Sequence, residues 1–280
     1  MKKPRTIDDL RKYKIAIFGA GGNGVRVWGA LKHVGLKPLY FLDNHKTGIE
    51  RKSGISIIAP EDFIHHNDDI VILISVKSKL LFEEVLTQLY SLGIASEQIL
   101  VFNEIIQLFE EITFTWENSR EEEFDYGQNN DIIEHMANWI EDDDMSVADI
   151  GCGNQHLRML LRPQCDYVPM DYVSRSDDTI ICDLNSETLP LLQIDVAFAS
   201  GVIQYVNNIE KFLAWLCHCS AKKIIIRTKH MYDKATDKFM GYVSTPSIED
   251  IESIIHNHGF LTTKKEIFNN NIAALCFAKS

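Results

Sequence analysis

Short apolar runs alternate along the chain with amphipathic stretches, and this alternation is typical of an α/β protein. In the first part, Lys14–Phe18 and residues 69–75 are short and almost wholly apolar, so each predicts a buried strand. Helical periodicity favours helices over 25–34 and 79–92, the second ending before Gly93. Shorter elements are predicted as strands at 39–42, 54–58 and 98–102 and as helices from Pro60 and over 103–112. This order of elements predicts a Rossmann-like parallel sheet.

The second half shows the same alternation with a different set of elements. Strands are predicted at 147–150, 167–171, 179–185, 194–200, 223–227, 261–268 and 272–278. Helices are predicted at 131–140, 208–217 and 247–257, and an apolar, helix-compatible run covers 156–161. The chain is therefore predicted to fold as two Rossmann-like α/β domains, residues 1–112 and 128–280, joined by an acidic connector at 113–127.

The net charge of −12 is concentrated near the middle of the chain. Residues 116–146 hold eleven acidic side chains against Arg120 alone, a net charge of −10, whereas residues 1–115 carry 14 basic and 14 acidic side chains. Such a run indicates a solvated surface rather than a binding site. It also argues against a nucleic-acid partner for this segment, since a phosphate backbone needs a basic track.

The composition indicates an ordinary soluble, cytoplasmic protein, with 45% hydrophobic and 24% charged residues. The basic N-terminus precedes no apolar core of a secretory signal, and no apolar run approaches the roughly 20 residues that span a bilayer. The six cysteines lack a Cys-x-x-Cys spacing, which favours reduced, buried thiols. We therefore expect neither membrane insertion nor a disulfide framework, while homo-oligomerisation stays open.

A first glycine turn directly follows the first predicted strand. Residues 19–24 have the sequence Gly-Ala-Gly-Gly-Asn-Gly, a Gly-x-Gly-x-x-Gly pattern that opens a helix-like run. Asp43 comes 19 residues after Gly24, where a dinucleotide fold places a carboxylate for a ribose diol. The pattern predicts a nucleotide site formed by Gly19, Gly21, Gly24 and Asp43, with NAD(P) or a nucleotide-sugar as its ligand. The alternative is a docking domain whose cleft stays empty.

A second glycine turn lies within residues 147–155, Val-Ala-Asp-Ile-Gly-Cys-Gly-Asn-Gln. Glycine lets the backbone pass close to a ligand, and a helix after the turn would direct N–H groups and a positive dipole end into the crevice. Asp149 is expected at the carboxyl edge of its strand, where open α/β sheets bind ligands. The turn is therefore the predicted centre of a ligand site.

This stretch resembles motif I of the class I S-adenosylmethionine (SAM) methyltransferases, acidic-x-Gly-x-Gly-x-Gly, with Gln155 at the third small position. The resemblance continues through the second half and implies a seven-stranded sheet. Asp171, 18 residues after Gly153, is implied to accept the ribose hydroxyls of SAM, and Asp183 the adenine amino group. The implied SAM-binding residues are Asp149, Gly151, Cys152, Gly153, Gln155, Asp171, Tyr172, Asp183, Leu184, Ser200, Gly201 and Tyr126.

The first domain resembles the small nucleotide- or sugar-nucleotide-binding domains of bacterial surface-glycan enzymes, through Asp43-Asn44, Gly54 and Pro60. This resemblance implies a role in polysaccharide biosynthesis. A fold alone does not fix a function, and no residue beside the first glycine turn is recognisable as an acid or base for hydride transfer.

Methyl transfer from a sulfonium requires an aligned acceptor and, for a hydroxyl acceptor, a base. His230 and Tyr232, after the fifth strand, and His156, after the glycine turn, are the candidates for that base. No His/Asp/Glu cluster has metal-ligand spacing, so a metal-independent reaction is expected. Cations in or near the same loop favour a phosphate-bearing or sugar-linked, anionic acceptor; these are Arg227, Lys229, Lys234, Lys238 and Arg175.

Two other classes of function remain open on the sequence. The first is an NAD(P)-dependent oxidoreductase or epimerase that uses residues 19–24. The second is a non-catalytic nucleotide sensor, in which Gln155 crowds the second cleft so that SAM binds weakly or not at all. Calorimetry with SAM, S-adenosylhomocysteine (SAH), NAD and a UDP-sugar separates these classes from a methyltransferase.

Overall fold

The structure is a computed structural model that describes residues 2–63, 69–76, 79–110, 130–232, 237, 241–268 and 271–280. The chain separates into two compact units, Met1–Glu123 with Lys234–Gly241, and Phe124–Asp233 with Tyr242–Ser280. Each unit has its own mixed β-sheet with helices, so the predicted α/β class is confirmed. In the described part of the chain, no helix has the length and apolar character needed to cross a bilayer.

The first unit contains a six-stranded sheet. Its strands are β1 (Lys14–Phe18), β2 (Tyr40–Leu42), β3 (Gly48–Ile49), β4 (Ser56–Ile58), β5 (Ile70–Ile74) and β6 (Ile99–Leu100). Their order is β3-β4-β2-β1-β5-β6, and all neighbouring pairs are parallel except β3 and β4. The predicted Rossmann-like parallel sheet therefore carries one antiparallel strand, at this edge. A short turn, in which Gly54 donates to the Glu50 carbonyl, returns the chain antiparallel to itself.

Helices cover both faces of this first sheet. They are α1 (Ile7–Leu10), α2 (Gly22–His33), α3 (Lys79–Ser91) and α4 (Phe102–Leu108). Alternate residues of β1 point to opposite faces, so that Ile15 and Ile17 pack with Val27 of α2, while Ala16 and Phe18 belong to the core on the other face. The buried, apolar character of β1 and β5 follows from this two-sided packing.

The second unit contains a seven-stranded sheet, as the resemblance implies. Its strands are β7 (Ser146–Ile150), β8 (Asp166–Asp171), β9 (Ile180–Ile181), β10 (Ile194–Ser200), β11 (Ser220–Lys229), β12 (Phe260–Phe268) and β13 (Ile272–Lys279). The order is β12-β13-β11-β10-β7-β8-β9. Strands β7 to β11 run parallel, and β13 lies antiparallel between β11 and β12. The carboxyl ends of the five parallel strands therefore meet at one edge of the sheet.

Three helices pack on this second sheet, and two of them have clear start signals. They are α5 (Asn130–Ala137), α6 (Ile209–Cys219) and α7 (Ile248–Asn257). Asn208 caps α6 by accepting from the Lys211 amide, and Ser247 caps α7 in a capping box with Asp250. Buried side chains of α6 and α7 form the core on one face, and those of α5 help form the core on the other.

Two predicted elements of this unit are much shorter than expected. The helix-like run 156–161 is only a 3-10 helix, His156–Met159, because Gln155 takes a left-handed conformation and Pro163 restricts the residue before it. The strand predicted over 179–185 is limited to Ile180–Ile181, because the Asp183 carboxylate accepts from the Asn185 amide and turns the chain. The argument from a helix dipole at the second glycine turn therefore fails.

Candidate cofactor-binding site

The second glycine turn is tied to the end of the neighbouring strand. The amides of Gly151 and Cys152 both donate to the Met170 carbonyl of β8, at 2.8 and 3.0 Å. Gly151 has a φ of +72°, and a Cβ there would meet Val202 Cγ2 at 3.0 Å. Only glycine combines this left-handed backbone with such close packing, so the position fixes the path of the turn.

Asp171, at the end of β8, lies against this turn. Its Oδ2 accepts from the Gly153 amide at 2.9 Å and lies 3.5 Å from Arg175 Nε, while its Oδ1 accepts from the Val173 amide at 3.3 Å. The residue is only 8% exposed. A carboxylate offers about four lone-pair sites, so Asp171 retains capacity to accept from a ligand hydroxyl.

Asp149 is buried in the sheet and has a polar partner that the sequence did not reveal. Its Oδ2 accepts from the Tyr167 hydroxyl at 2.6 Å, and the residue is 4% exposed. Burial raises the pKa of Asp149 to about 7; the Tyr167 hydrogen bond opposes this change and the nearby Asp171 adds to it. Burial also raises the pKa of the Cys152 thiol, so this cysteine stays protonated.

The Gln155 side chain is held at the rim of the turn by hydrogen bonds to Ser176, Thr179 and Arg158. Its Nε2 donates to Ser176 Oγ at 2.6 Å, and its Oε1 accepts from Arg158 at 2.8 Å. Ser176 belongs to the loop between β8 and β9. The side chain is therefore committed to this loop and to Arg158.

The loop after β9 lies beside the end of β10. Asp183 is partly buried, and Leu184 packs against the hydrophobic core. Asn185 donates to the Tyr205 carbonyl at 3.0 Å and accepts from the Asn207 amide at 2.7 Å. These two bonds join the loop that follows β9 to the segment that follows β10. Of the other residues implied for SAM, Tyr172 is partly buried, and Tyr126 lies outside the described residues.

Ser200 and Gly201 end β10 next to a partly buried arginine. Arg227 Nε donates to Ser200 Oγ at 2.8 Å, and the Gly201 amide donates to the Arg227 carbonyl at 2.9 Å. Gly201 has a φ of +71°, and a Cβ at this position would overlap the Arg227 guanidinium. Arg227 lies in β11, as the predicted strand 223–227 has it, and β11 continues to Lys229, which was predicted in the loop; Lys234 and Lys238 lie outside the described residues.

The three predicted bases occupy different environments. His156 Nε2 lies 3.1 Å from Glu134 Oε1 of α5, with its side chain 13% exposed. Tyr232 shares a hydrogen bond of 3.2 Å with Thr228 Oγ1. His230 is exposed, and its backbone amide donates to the Asn271 carbonyl at 2.6 Å. Only His156 among them has a described carboxylate partner for its ring, an arrangement that fixes the orientation of an imidazole.

Two buried amide oxygens near this edge of the sheet are left without a donor. Within the described ranges, Asn130 Oδ1 and Gln204 Oε1 accept no hydrogen bond. Gln204 follows Gly201 in the 3-10 helix Ile203–Tyr205, and Asn130 begins the helix whose Glu134 contacts His156. Buried polar atoms are nearly always satisfied, so these two fit a cleft whose ligand supplies the donors.

The four acids just before β7, Glu141 to Asp144, take part in ion pairs, and all but Asp144 are exposed. Asp144 is fully buried, and its Oδ2 lies 2.8 Å from Lys223 Nζ. The same ammonium lies 2.6 Å from Glu141 Oε2, and Lys222 pairs with Asp143 at 3.2 Å. Glu141, Asp143 and Asp144 are close enough together to hold a cation, but each of them is already paired with the Lys222 or the Lys223 ammonium group. The cluster anchors the start of β11 and gives no evidence of a metal site.

Asp43 closes the first glycine turn as Asp171 closes the second, by accepting a hydrogen bond from a backbone amide of the turn. Asp43 Oδ2 accepts from the Ala20 amide at 2.8 Å, and its Oδ1 accepts from the amides of His45 and Lys46 at 2.9 and 3.1 Å. A Cβ on Gly24 would overlap the Gly19 carbonyl, so glycine is needed where α2 packs on the turn. Gly21 is the N-cap of α2. The predicted nucleotide residues thus lie together, with Asp43 bound to the backbone.

Comparison with known proteins gives a likeness of structure only. No protein-family model and no curated protein matches the sequence. Among solved structures, the chain is similar to magnesium protoporphyrin IX methyltransferase from Synechocystis PCC 6803 with bound SAH, at 14% identity over 54% of this chain and 83% of that chain, with a TM-score of 0.45. It is also similar to a SAM-dependent methyltransferase from Mesorhizobium loti (11% identity, 53% and 96% covered, TM-score 0.44). A third is the 4+2 cyclase SpnF (11% identity, 54% and 80% covered, TM-score 0.45). One fold hosts many reactions, so the function has to be argued from this chain's own site.

Proposed function

We propose that the second unit is a SAM-dependent methyltransferase that acts on a small acceptor without a metal ion. The observation that carries this proposal is that Asp171 closes the glycine turn through the Gly153 amide, keeps capacity to accept from a ligand, and shares its edge of the sheet with the unsatisfied Gln204 oxygen. Ligands of open α/β sheets bind outside the carboxyl ends of the strands, where this contact lies.

The residues around this contact suit the parts of SAM. Asp171 would accept from the ribose hydroxyls, and Asp183 with Leu184 would border the adenine. Ser200 and Gly201 would border the methionine part, near the unsatisfied Gln204 oxygen. Bound SAM supplies a methyl group that its sulfonium has already activated. The task of the chain is to align the acceptor with that methyl and to exclude water.

A hydroxyl acceptor also has to lose a proton. Of His156, His230 and Tyr232, the pairing of His156 with Glu134 favours His156 as the base, since a carboxylate partner orients the imidazole ring. His230 and Tyr232 are the alternatives if the acceptor binds nearer to the end of β11. A phosphate-bearing or sugar-linked acceptor agrees with the cation at Arg227. A place in cytoplasmic surface-glycan biosynthesis rests on the resemblance of the first unit alone.

Calorimetry with SAH tests the proposal directly. Wild-type protein should bind SAH, and Asp171→Asn should weaken binding by about 10- to 100-fold, the cost of losing hydrogen bonds to a charged group. Asp250→Asn, which changes an exposed acid of the α7 capping box, should leave the affinity unchanged. Absence of SAH binding to well-folded wild-type protein would refute the assignment.

A second proposal concerns the first unit, where NAD(P) or a nucleotide-sugar would bind at the turn of residues 19–24. The geometry in its favour is the collected set of Gly19, Gly21, Gly24 and Asp43. NAD and a UDP-sugar are titrated separately, and Asp43→Asn should weaken whichever of them binds. Binding of NAD without SAH would support an oxidoreductase or epimerase, and binding of neither would leave a docking domain.

A further inference from the structure

Arg227 differs from the other described arginines of the second unit in its partners. Arg158, Arg162 and Arg175 each have a carboxylate within 3.5 Å, on Asp178, Asp142 and Asp171 respectively. The described contact of the Arg227 guanidinium is instead the neutral hydroxyl of Ser200, and no described carboxylate lies within ion-pair distance. Arg227 is therefore a cation that the described part of the fold does not pair.

The surroundings of Arg227 make an unpaired charge costly. Tyr205 and Tyr242 pack edge to face, with ring centroids 5.3 Å apart. These two tyrosines raise the pKa of Arg227, as does Asp131 of α5, which lies beyond ion-pair distance. Burial lowers the pKa of the Arg227 guanidinium, while these three groups oppose the change. An arginine nonetheless stays protonated in proteins. A charge removed from water without a counter-charge destabilises the fold, unless a ligand supplies the missing anion.

The geometry leaves part of the guanidinium available to such a ligand. Its Nε–H is committed to Ser200, whereas the N–H groups of the two terminal nitrogens form the planar fork that matches a carboxylate or phosphate. Gly201, which has no side chain, lets the guanidinium lie directly over the end of β10. The fork therefore lies at the edge of the sheet where the ligand of the proposed methyltransferase would bind.

We propose that Arg227 binds an oxyanion of the ligand, a carboxylate or a phosphate, at the carboxyl end of β10. The inference rests on the proposed function, since the cleft is the one assigned to SAM and its acceptor. The oxyanion has two chemical sources: the aminoacyl carboxylate of SAM, and an acidic group on the acceptor. In either case Arg227 is a binding residue that selects for negative charge next to the reacting methyl group.

Calorimetry on the full chain distinguishes the two sources. Wild-type protein, Arg227→Met and Arg227→Lys are titrated with SAH and with 5′-methylthioadenosine, which lacks the aminoacyl carboxylate. If SAM supplies the oxyanion, Arg227→Met weakens SAH binding about tenfold or more and leaves methylthioadenosine unchanged. Arg227→Lys, which keeps the charge but loses the fork, should lie between the two. Lys265→Met, which removes one charge from an exposed pair with Glu252, is the matched control.

Inorganic phosphate and acetate, titrated with and without saturating SAH, test the acceptor as the source. In that case wild-type protein binds one of these anions, Arg227→Met does not, and SAH affinity is the same in both. The inference is overturned if Arg227→Met matches wild type for SAH and if neither anion shows binding that depends on Arg227. If wild-type protein binds no SAH, the methyltransferase proposal fails, and the anion titrations still decide the role of Arg227.

Discussion

Replacement of Asp149 by asparagine should change how the stability of the protein depends on pH. The Asp149 carboxyl is 4% exposed, and its pKa is raised to about 7 from an ordinary value of 3.8, chiefly by burial. Between these two values the folded protein holds a proton that the unfolded chain has lost. The contribution of Asp149 to the free energy of unfolding therefore falls as the pH rises from about 4 to about 7, and then levels off.

The size of the effect follows from the same two values. The pKa is raised by about three, and each pKa unit corresponds to about 1.4 kcal/mol, so ionised Asp149 costs at most about 4 kcal/mol at pH 8. The asparagine side chain of the variant stays neutral and still accepts from the Tyr167 hydroxyl, but its new amide N–H groups need acceptors, at a cost of about 1–3 kcal/mol. We expect Asp149→Asn to be less stable than wild type or equal to it at pH 5, and to gain about 2–4 kcal/mol relative to wild type by pH 8.

Urea unfolding at several pH values between 5 and 8 measures this difference, followed by a probe in the second unit such as the fluorescence of Trp139 and Trp215. Asp250→Asn serves as the control. Hydrogen bonds from Ser247 lower the pKa of Asp250 in the folded protein, so its stabilising effect is lost only below this pH range, and the difference between Asp250→Asn and wild type should stay constant between pH 5 and 8. Parallel curves of stability against pH for wild type and Asp149→Asn would refute the view that Asp149 is a buried acid with a raised pKa.

Two further substitutions test the packing of each unit. Lys223→Met leaves Asp144 buried without its closest cation and should destabilise the second unit by about 3 kcal/mol. Lys265→Met, which breaks an exposed ion pair, should cost about 1 kcal/mol or less. Thermal melting of the two variants compares these losses. Gly24→Ala should prevent the first unit from folding natively, because the new Cβ would overlap the Gly19 carbonyl in the turn. Gly29→Ala, whose Cβ would meet nothing within 4 Å, should stabilise α2 by up to about 1 kcal/mol. Circular dichroism and thermal melting of both variants test these opposite effects.

Much of the sheet could be predicted from the sequence, because its central strands are buried on both faces. Strand β1 has the predicted bounds, and β5, β7 and β10 agree within one residue, since continuous runs such as Ile70–Ile74 leave little choice of structure. The helices also agree closely where polar residues cap them, as Asn208 and Ser247 do for α6 and α7.

The elements that failed depend on local backbone geometry that composition does not reveal. The run 156–161 has helical spacing, but the left-handed Gln155 and the nearby Pro163 leave it a single 3-10 turn. The edge strand Gly48–Ile49 has no hydrophobic pattern of its own and exists because a turn pairs it with β4. Edge elements contribute few buried residues, so the periodicity that identifies a core strand is missing from them.

Side-chain partners across strands were equally hidden from the sequence. Tyr167 precedes the predicted acid Asp171 by four residues, yet its hydroxyl donates a hydrogen bond to Asp149 on the neighbouring strand β7. Arg227 lies in the predicted strand 223–227, but only the strand register shows that it is opposite Ser200 and beside Gly201. Such contacts follow from which strands are neighbours, and strand order is a property of the folded sheet rather than of spacing along the chain.

The two acids chosen for their distance from a glycine turn make the same structural contact. Asp43 accepts from the Ala20 amide at 2.8 Å, and Asp171 accepts from the Gly153 amide at 2.9 Å, although they belong to separate units. Closing the turn is therefore a sufficient reason for an acid at either spacing, and the spacing alone does not predict a ligand. The two clefts differ in what the second oxygen of each carboxylate binds.

The other oxygen of Asp43 accepts two backbone amides, at 2.9 and 3.1 Å. The other oxygen of Asp171 accepts from a single amide, at 3.3 Å. The same edge of the sheet also holds an unsatisfied amide oxygen on Gln204 and the cation of Arg227. A ligand with hydroxyl donors and an oxyanion therefore has more to gain in the second unit. If Asp43→Asn and Asp171→Asn destabilise their units equally, and only the second also abolishes nucleoside binding, this difference, rather than the shared contact, carries the function.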